Sequence, residues 1–335
     1  MGKLVKLGKL SPQELERLVF PFRGKEREEV VFGPHLGRDC GVLRFSPFYL
    51  SCTCDPVTGT TLGAGALAPH LVANDLIASG AEPVALIVSL LFPPGVPSSL
   101  VEGMMRELDG AAREIGFAIL GGHTEVTDAV TRPVVHCTGI GKIACEPLPD
   151  VTRVVPGDAI VMTKGAGIEG TGILALEYAE ELKGVLTDEE LQRAKAFLTK
   201  VSVLPEGRIA LRFSPHCLHD ATEGGILGAI WEVCSAQGLG FVVEENRVLV
   251  FPETEKITKH FGCDPLRLIS SGTLLIFTPN PTPLLAALQE AAIPAATIGW
   301  VTEGSCLLFR RDGRREEIGE CPQDELWRLF EESKK

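Results

Sequence analysis

The sequence predicts an α/β (α+β) protein of two domains, and three observations lead there. At 335 residues the chain exceeds one ordinary core, so two domains are the expectation. Its first half reads as strand, helix, strand, helix, strand, strand, an order that suits an α/β or α+β sheet domain. Around Pro147 to Pro156 the composition turns to Pro, Asp and Val, and a fresh strand follows. The expected domains are residues 1–150 and 151–335.

The stretch around which the first half is organised runs from His70 to Gly95, HLVANDLIASGAEPVALIVSLLFPPG. Its first part reads as an amphipathic helix with Leu67, Leu71, Leu76 and Ile77 as apolar positions. Asn74 and Asp75 near its end are short polar residues that prefer caps and turns to helix interiors. Ser79-Gly80-Ala81 and Pro83 stop the helix. The apolar run Val84 to Phe92 then predicts a central strand buried on both faces.

The other elements follow in order. Ser11-Pro12-Gln13-Glu14 is a helix start with a capping box, and that helix ends near Pro21. A charged segment and a short VVF strand lead to the turn GPHLGRDCGVL, which holds Asp39 between Gly37 and Gly41. A strand from Phe48 to Thr53 delivers Cys54 and Asp55 before a break at Pro56. A second amphipathic helix spans Leu100 to Ile115, and strands follow at Phe117 to Leu120 and Val134 to Ile143 with GGHTEV between them. In the second half a strand at 158–164 precedes GAGIEGTG and a helix from Ile173 to Leu182. Gly165, Gly167 and Gly170 satisfy the spacing of the dinucleotide fingerprint. The acid-tipped strand that should follow is replaced by the charged helix LTDEELQRAKAFLTK, which argues against a dehydrogenase. A backbone nest for phosphate and plain turn glycines both remain open. HDATEGG opens a helix from Ile226 to Gln237, with Asp220 and Thr222 at its N-terminus, either as caps or as ligands. A buried strand ends at Phe277, a helix spans Leu284 to Ala292, and GWVTEGSCLLFRR reads as a last hairpin.

Composition narrows the function. Hydrophobic residues make up 45% and charged residues 23% of the chain, as in a globular protein, and the net charge of −12 argues against nucleic acid as the main partner. The longest apolar run falls well short of the ~20 residues a membrane helix needs. The N-terminus shows no apolar segment of a secretory signal, so a cytoplasmic protein is expected. None of the ten cysteines forms a CxxC pair. Cys52 and Cys54 share one face of their strand, but two thiols do not complete a zinc site. Most of the ten are expected to be reduced, buried small hydrophobes.

The candidates for chemistry are four aspartates. Asp39, Asp55, Asp75 and Asp220 all sit at element ends beside glycine. Hard divalent cations such as Mg²⁺ take oxygen ligands, a few from protein and the rest from water and phosphate, and dispersed single aspartates suit that chemistry. No Walker A motif is present.

The succession GRDCGVL, CDPVTG, ANDLIASGAEPVALIVSLLFPPG, GGHTEV, KGAGIEGTGILA, HDATEGG and DPLRLISSGTLLI resembles the aminoimidazole ribonucleotide (AIR) synthetase superfamily over nearly the whole chain. That superfamily includes selenophosphate synthetase, thiamine-monophosphate kinase and the hydrogenase maturation factor HypE. GGHTEV and KGAGIEGTG look most like HypE and AIR synthase-related proteins. The resemblance implies an N-terminal domain that dimerises through its strands into a β-barrel and a C-terminal α/β sandwich. It also implies a homodimer that binds ATP and Mg²⁺. Carried over by motif, Asp39, Asp55, Asp75 and Asp220 would hold magnesium, and Gly121, Gly122 and His123 would reach the nucleotide. Gly165, Gly167 and Gly170 fall in a further glycine block and are the remaining cofactor-binding candidates.

Two departures stand out. The acid that usually precedes the first aspartate is Arg38 here, which removes a possible ligand and adds a cation near the phosphates. HypE acts on a cysteine at its own extreme C-terminus, dehydrating a thiocarboxamide to a thiocyanate. The sequence in hand ends Glu-Glu-Ser-Lys-Lys, with Cys321 before a helix whose Leu326, Leu329 and Phe330 should dock it, so the full HypE reaction is not expected. The implied activity is ATP- and Mg²⁺-dependent activation of a substrate oxygen by phosphoryl transfer, on a small molecule or a protein tail. The alternatives are a small-molecule kinase resembling thiamine-monophosphate kinase, and a non-catalytic nucleotide-binding partner of another hydrogenase maturation protein.

Overall fold

The computed structural model describes residues 9–143 and 146–332. Cys145 and the two ends of the chain lie outside the described residues. The described chain divides into two compact units. One comprises residues 27–33 and 39–148, the other residues 9–26, 34–38 and 149–332. The stretches 9–26 and 34–38 thus pack with the later half of the chain, whereas a cut at 150 assigns them to the earlier half. Among the described residues no helix is long and apolar enough to cross a membrane.

The chain opens with α1 (Pro12–Leu18), capped by the expected box in which Ser11 and Glu14 exchange hydrogen bonds. The 39–148 unit then begins with β1 (Val30–Phe32), β2 (Gly41–Phe45) and β3 (Phe48–Val57). It continues through α2 (Ala64–Ala78), β4 (Ala81–Phe92), α3 (Ser98–Ile115), β5 (Ala118–Val126) and β6 (Val134–Ile143). The six strands form one sheet in the order β1-β2-β3-β6-β4-β5, in which only β4 and β5 run parallel. α2 lies over β3, β4 and β6 with α3 beside it.

Four local expectations change here. α2 is not amphipathic: 12 of its 15 residues are buried, because the sheet and α3 enclose it. Gly139 and Gly141 of β6 permit that approach, since a Cβ on either would press on Val72 or Leu76 of α2. β4 begins at Ala81 rather than Val84 and is covered on one face only, leaving Val84 and Ile87 exposed. β3 runs through Pro56, which pairs with His136 of β6. β2 reaches only as far as Cys52, so the other side of β3 at Pro56 makes no ladder that its missing N–H could break. Finally, β5 contains the Gly121-Gly122 pair instead of ending before it. Gly122 has φ of +154°, and a Cβ there would stand 1.7 Å from the Val88 carbonyl oxygen, so only glycine fits.

The second unit adds β7 (Ala159–Thr163), α4 (Ile168–Glu177), α5 (Asp188–Lys195), α6 (Leu204–Leu211), β8 (Cys217–Ala221) and α7 (Gly225–Ser235). β9 (Gly240–Glu244), α8 (Pro252–Phe261), β10 (Thr273–Thr278) and α9 (Pro281–Glu290) follow. β11 (Ala295–Thr302), β12 (Cys306–Phe309), β13 (Arg315–Glu317) and α10 (Glu325–Glu332) close it. The sheet order is β13-β12-β9-β11-β7-β10-β8. Every residue of β7, β8 and β10 is buried, as expected of strands covered on both faces. Ile160, Met162, Leu275 and Phe277 of this sheet share a core with Ile226, Ile230 and Val233 of α7. Ile173 and Leu174 of α4 lie in another core with Ile257 of α8 and Leu326 and Leu329 of α10.

The last hairpin is a correction. β11 and β12 do not pair with each other; β9 lies between them, antiparallel to β11 and parallel to β12. Glycine makes the insertion possible, because a Cβ on Gly240 would fall 1.9 Å from the Gly304 carbonyl oxygen and one on Gly299 would fall 2.0 Å from that of Val242. The true hairpin is β12 with β13.

Candidate functional site

Asp75 sits in the last turn of α2 and is 7% exposed. It is neither a cap nor a turn former. Its Oδ2 accepts a hydrogen bond of 2.5 Å from the Thr53 hydroxyl of β3, and its carbonyl accepts the Ser79 amide that ends the helix. The Cys40 thiol also donates to that carbonyl, at 3.2 Å. This contact draws the 39–40 peptide beside the end of α2, and the carboxylate oxygens of Asp39 and Asp75 come within 4.8 Å of one another. Burial pushes the Cys40 thiol well up, with the Asp75 charge adding to it, so the thiol acts here as a donor and not as a nucleophile.

Asp55 lies on the same strand face as Thr53, two residues on, but it is not part of that carboxylate grouping. Cys52 and Cys54 take the opposite face, as the alternation requires, and Cys54 is exposed. The next strands carry the glycine segment. Gly121, Gly122 and His123 lie on β5, whose residues are exposed throughout, and His123 meets Glu125 at 3.1 Å.

Asp220 belongs to the other unit. It is not a helix cap: it lies inside β8, paired with Leu274 of β10, and is 2% exposed. The N-cap of α7 is Gly224, in the left-handed region at φ of +84°. Thr222 lies between strand and helix, and its carbonyl accepts the Gly225 amide. Two further acids hold this turn, Glu223 from within the motif and Asp324 from outside it. Asp324 accepts the Gly224 amide at 2.6 Å and caps α10 through the Leu326 amide, while Glu223 accepts the Trp327 indole N–H at 2.8 Å. Asp324 was legible only as the start of the last helix; its second partner is 100 residues away.

The block Gly165, Gly167 and Gly170 serves packing. A Cβ on Gly165 would meet the Phe251 ring at 2.7 Å, and one on Gly170 would meet Leu268 at 2.4 Å. The amides of Ala166, Gly167 and Gly170 already donate to the Leu249 carbonyl, the Ser270 hydroxyl and the Ile269 carbonyl. A phosphate nest needs such amides pointing outward. α4 accordingly starts at Ile168, five residues before the expected Ile173, with Gly170 and Gly172 inside it.

Arg38 is also placed differently from expectation. Its guanidinium grips Asp150 in a two-point ion pair at 2.6 and 2.9 Å, with both side chains largely buried. Asp150 accepts the Thr152 amide and hydroxyl as well. Burial raises the Asp150 carboxyl, but the bonds from Arg38 and Thr152 outweigh it and hold the group below its ordinary value. Cys321 is held as expected: α10 buries Leu326 and Leu329 just beyond it, and burial pushes its thiol up to about 12. Of the nine described cysteines four are buried, four are half-buried and Cys54 is exposed.

Comparison with known proteins identifies the family and the fold. The AIR synthase related protein family matches with its N-terminal domain over residues 37–143 and its C-terminal domain over residues 155–307. The carbamoyl dehydratase HypE of Cupriavidus necator is 28% identical over 245 residues, which is 71% of this chain and 68% of that protein. The crystal structure of a hydrogenase maturation protein HypE in complex with ATP shares the fold, with a TM-score of 0.67, 24% identity and coverage of 96% of this chain and 98% of that one. So does AaThiL complexed with AMPPCP and TMP, with a TM-score of 0.75, 16% identity and coverage of 96% and 99%. With both domains matched in order over most of its length, the chain belongs to the AIR synthase-related family.

Proposed function

We propose that this chain is an ATP- and Mg²⁺-dependent enzyme of the HypE branch of its family, which activates a substrate oxygen by phosphoryl transfer. The observation that carries the proposal is the approach of Asp39 and Asp75 within 4.8 Å at the end of α2. A helix C-terminus carries partial negative charge, so a buried carboxylate there gains nothing from the dipole, and a second carboxylate beside it adds repulsion. A hard divalent cation answers both, and Mg²⁺ suits a few carboxylates completed by water and phosphate. Asp39, Asp55, Asp75 and Asp220 are the proposed ligands, and Gly121, Gly122 and His123 the proposed nucleotide contacts. Bound ATP supplies the γ-phosphoryl group, and Mg²⁺ offsets its charge. The protein's part is positional: Thr53 fixes one oxygen of Asp75, and Cys40 fixes the backbone between the two acids.

The likeness to the ATP-bound HypE structure and to AaThiL with AMPPCP supports ATP as the nucleotide. A small-molecule kinase is the second reading, favoured by the AaThiL likeness. A nucleotide-binding partner of another maturation protein is the third. The deciding measurement is phosphate release from ATP with Mg²⁺ and with chelator, in the presence and absence of candidate acceptors. Absence of magnesium-dependent ATP binding sinks the proposal; tight binding without release from any acceptor moves it to the third reading.

We also propose a cytoplasmic homodimer. β5 is an edge strand exposed along its length, with Leu120 66% and Val126 60% exposed, and Val84 and Ile87 of β4 are exposed beside it. An apolar edge of this kind invites pairing, and a second copy is the expected cover. Light scattering at micromolar concentration should give twice the chain mass; a monomer there excludes the dimer.

A further inference from the structure

Lys164 directly follows β7 in a conformation few residues other than glycine adopt, at φ of +54°. Such backbone persists only where surroundings over-determine it. The surroundings here are oxygen atoms. The Lys164 ammonium lies 3.0 Å from the Lys200 carbonyl, 2.5 Å from the Ser202 carbonyl and 2.8 Å from Glu206 Oε1. Its side chain is 15% exposed and that of Glu206 3%.

An ammonium has three protons, and three oxygens take them. Glu206 Oε2 is buried and has no hydrogen-bond partner among the described residues. Two main-chain carbonyls and a carboxylate oxygen within 3.0 Å of one positive charge are an all-oxygen donor set of the kind a hard metal cation takes, and an alkali-metal ion, unlike an ammonium, binds oxygen without regard to proton count. Lys200 does not compete for the position, since its ammonium lies over the rings of Phe197 and Phe251.

We propose that this cage is a monovalent-cation site and that Lys164 fills it as a tethered cation. The site ties the 200–206 segment to the end of β7, directly before the packed glycine block. With the charge supplied covalently, the native fold needs no K⁺ or Na⁺ at this point.

The test is thermal melting of the Lys164→Met variant of the full chain in potassium, ammonium or tetramethylammonium chloride at equal ionic strength. The native protein should melt alike in all three. The variant should fall by at least about 6 °C in tetramethylammonium, which is too large for the cage, since breaking a buried ion pair shifts a domain of this size by several degrees. Potassium or ammonium should restore half or more of that loss. Folding only in potassium or ammonium also supports the site. Equal melting in the three salts, or failure to fold in any of them, overturns it. The double variant Lys164→Met with Glu206→Gln should lose the cation response; a response that survives there is non-specific and also overturns the proposal.

Discussion

Asp75→Asn is expected to abolish most magnesium-dependent nucleotide binding while leaving the apo protein's melting temperature nearly unchanged. The side chain has two separable roles, as a hydrogen-bond acceptor and as a charge. Asparagine keeps an oxygen that accepts the Thr53 hydroxyl, and the backbone carbonyl that receives Cys40 and Ser79 is untouched. What it removes is the charge beside Asp39. Cation affinity follows the number of charged oxygen ligands, so loss of one of them should lower affinity for Mg²⁺–ATP by about 10² or more. Titration calorimetry with Mg²⁺–ATP and a melt of the apo protein read the two effects separately. Nucleotide binding that survives while apo stability collapses would show Asp75 to be a structural group, and the proposed metal site would fall with it.

The second large effect is on stability. Arg38→Ala should destabilise the protein by about 3–5 kcal/mol, because it strands Asp150 as a buried, unpaired carboxylate. The pH dependence provides the check. Asp150 is held below its ordinary value in the folded protein, so its contribution is present above the unfolded carboxylate value and is lost as pH falls through the folded value. Below both values the native protein and Arg38→Ala should therefore converge in stability, and at neutral pH they should differ most. Chemical denaturation across that range measures it. A constant difference at all pH values would mean that Arg38 contributes by packing alone. Arg38→Lys should recover part of the loss, since an ammonium keeps the charge but not the two-point geometry.

The sequence by itself determined many of the elements and which residues are chemically unusual, whereas α6, β8, β9 and α8 were not read from it. The capping box at Ser11, the helix ending at Ser79-Gly80 and the strand Val134–Ile143 are local matters of propensity, capping and alternation, and they stand as read. So does the docking face of the last helix, since a 3.6-residue period needs no distant partner to be recognised. The unusual aspartates were legible for the same reason: acids at the ends of apolar elements are visible one element at a time. Tertiary structure decided everything that depends on a partner far along the chain. Thr53 and Cys40 reach Asp75 from other elements, and Asp150 reaches Arg38 across 112 residues, turning an expected cation near the phosphates into a buried ion pair. β9 parts β11 from β12 because strand pairing follows the whole sheet, and two adjacent strands with a short connection look like a hairpin until a third is known. The same holds for glycine. In sequence, Gly165, Gly167 and Gly170 could bind phosphate or only turn the chain; Phe251 and Leu268, brought against them by the fold, fill the space and make them packing residues.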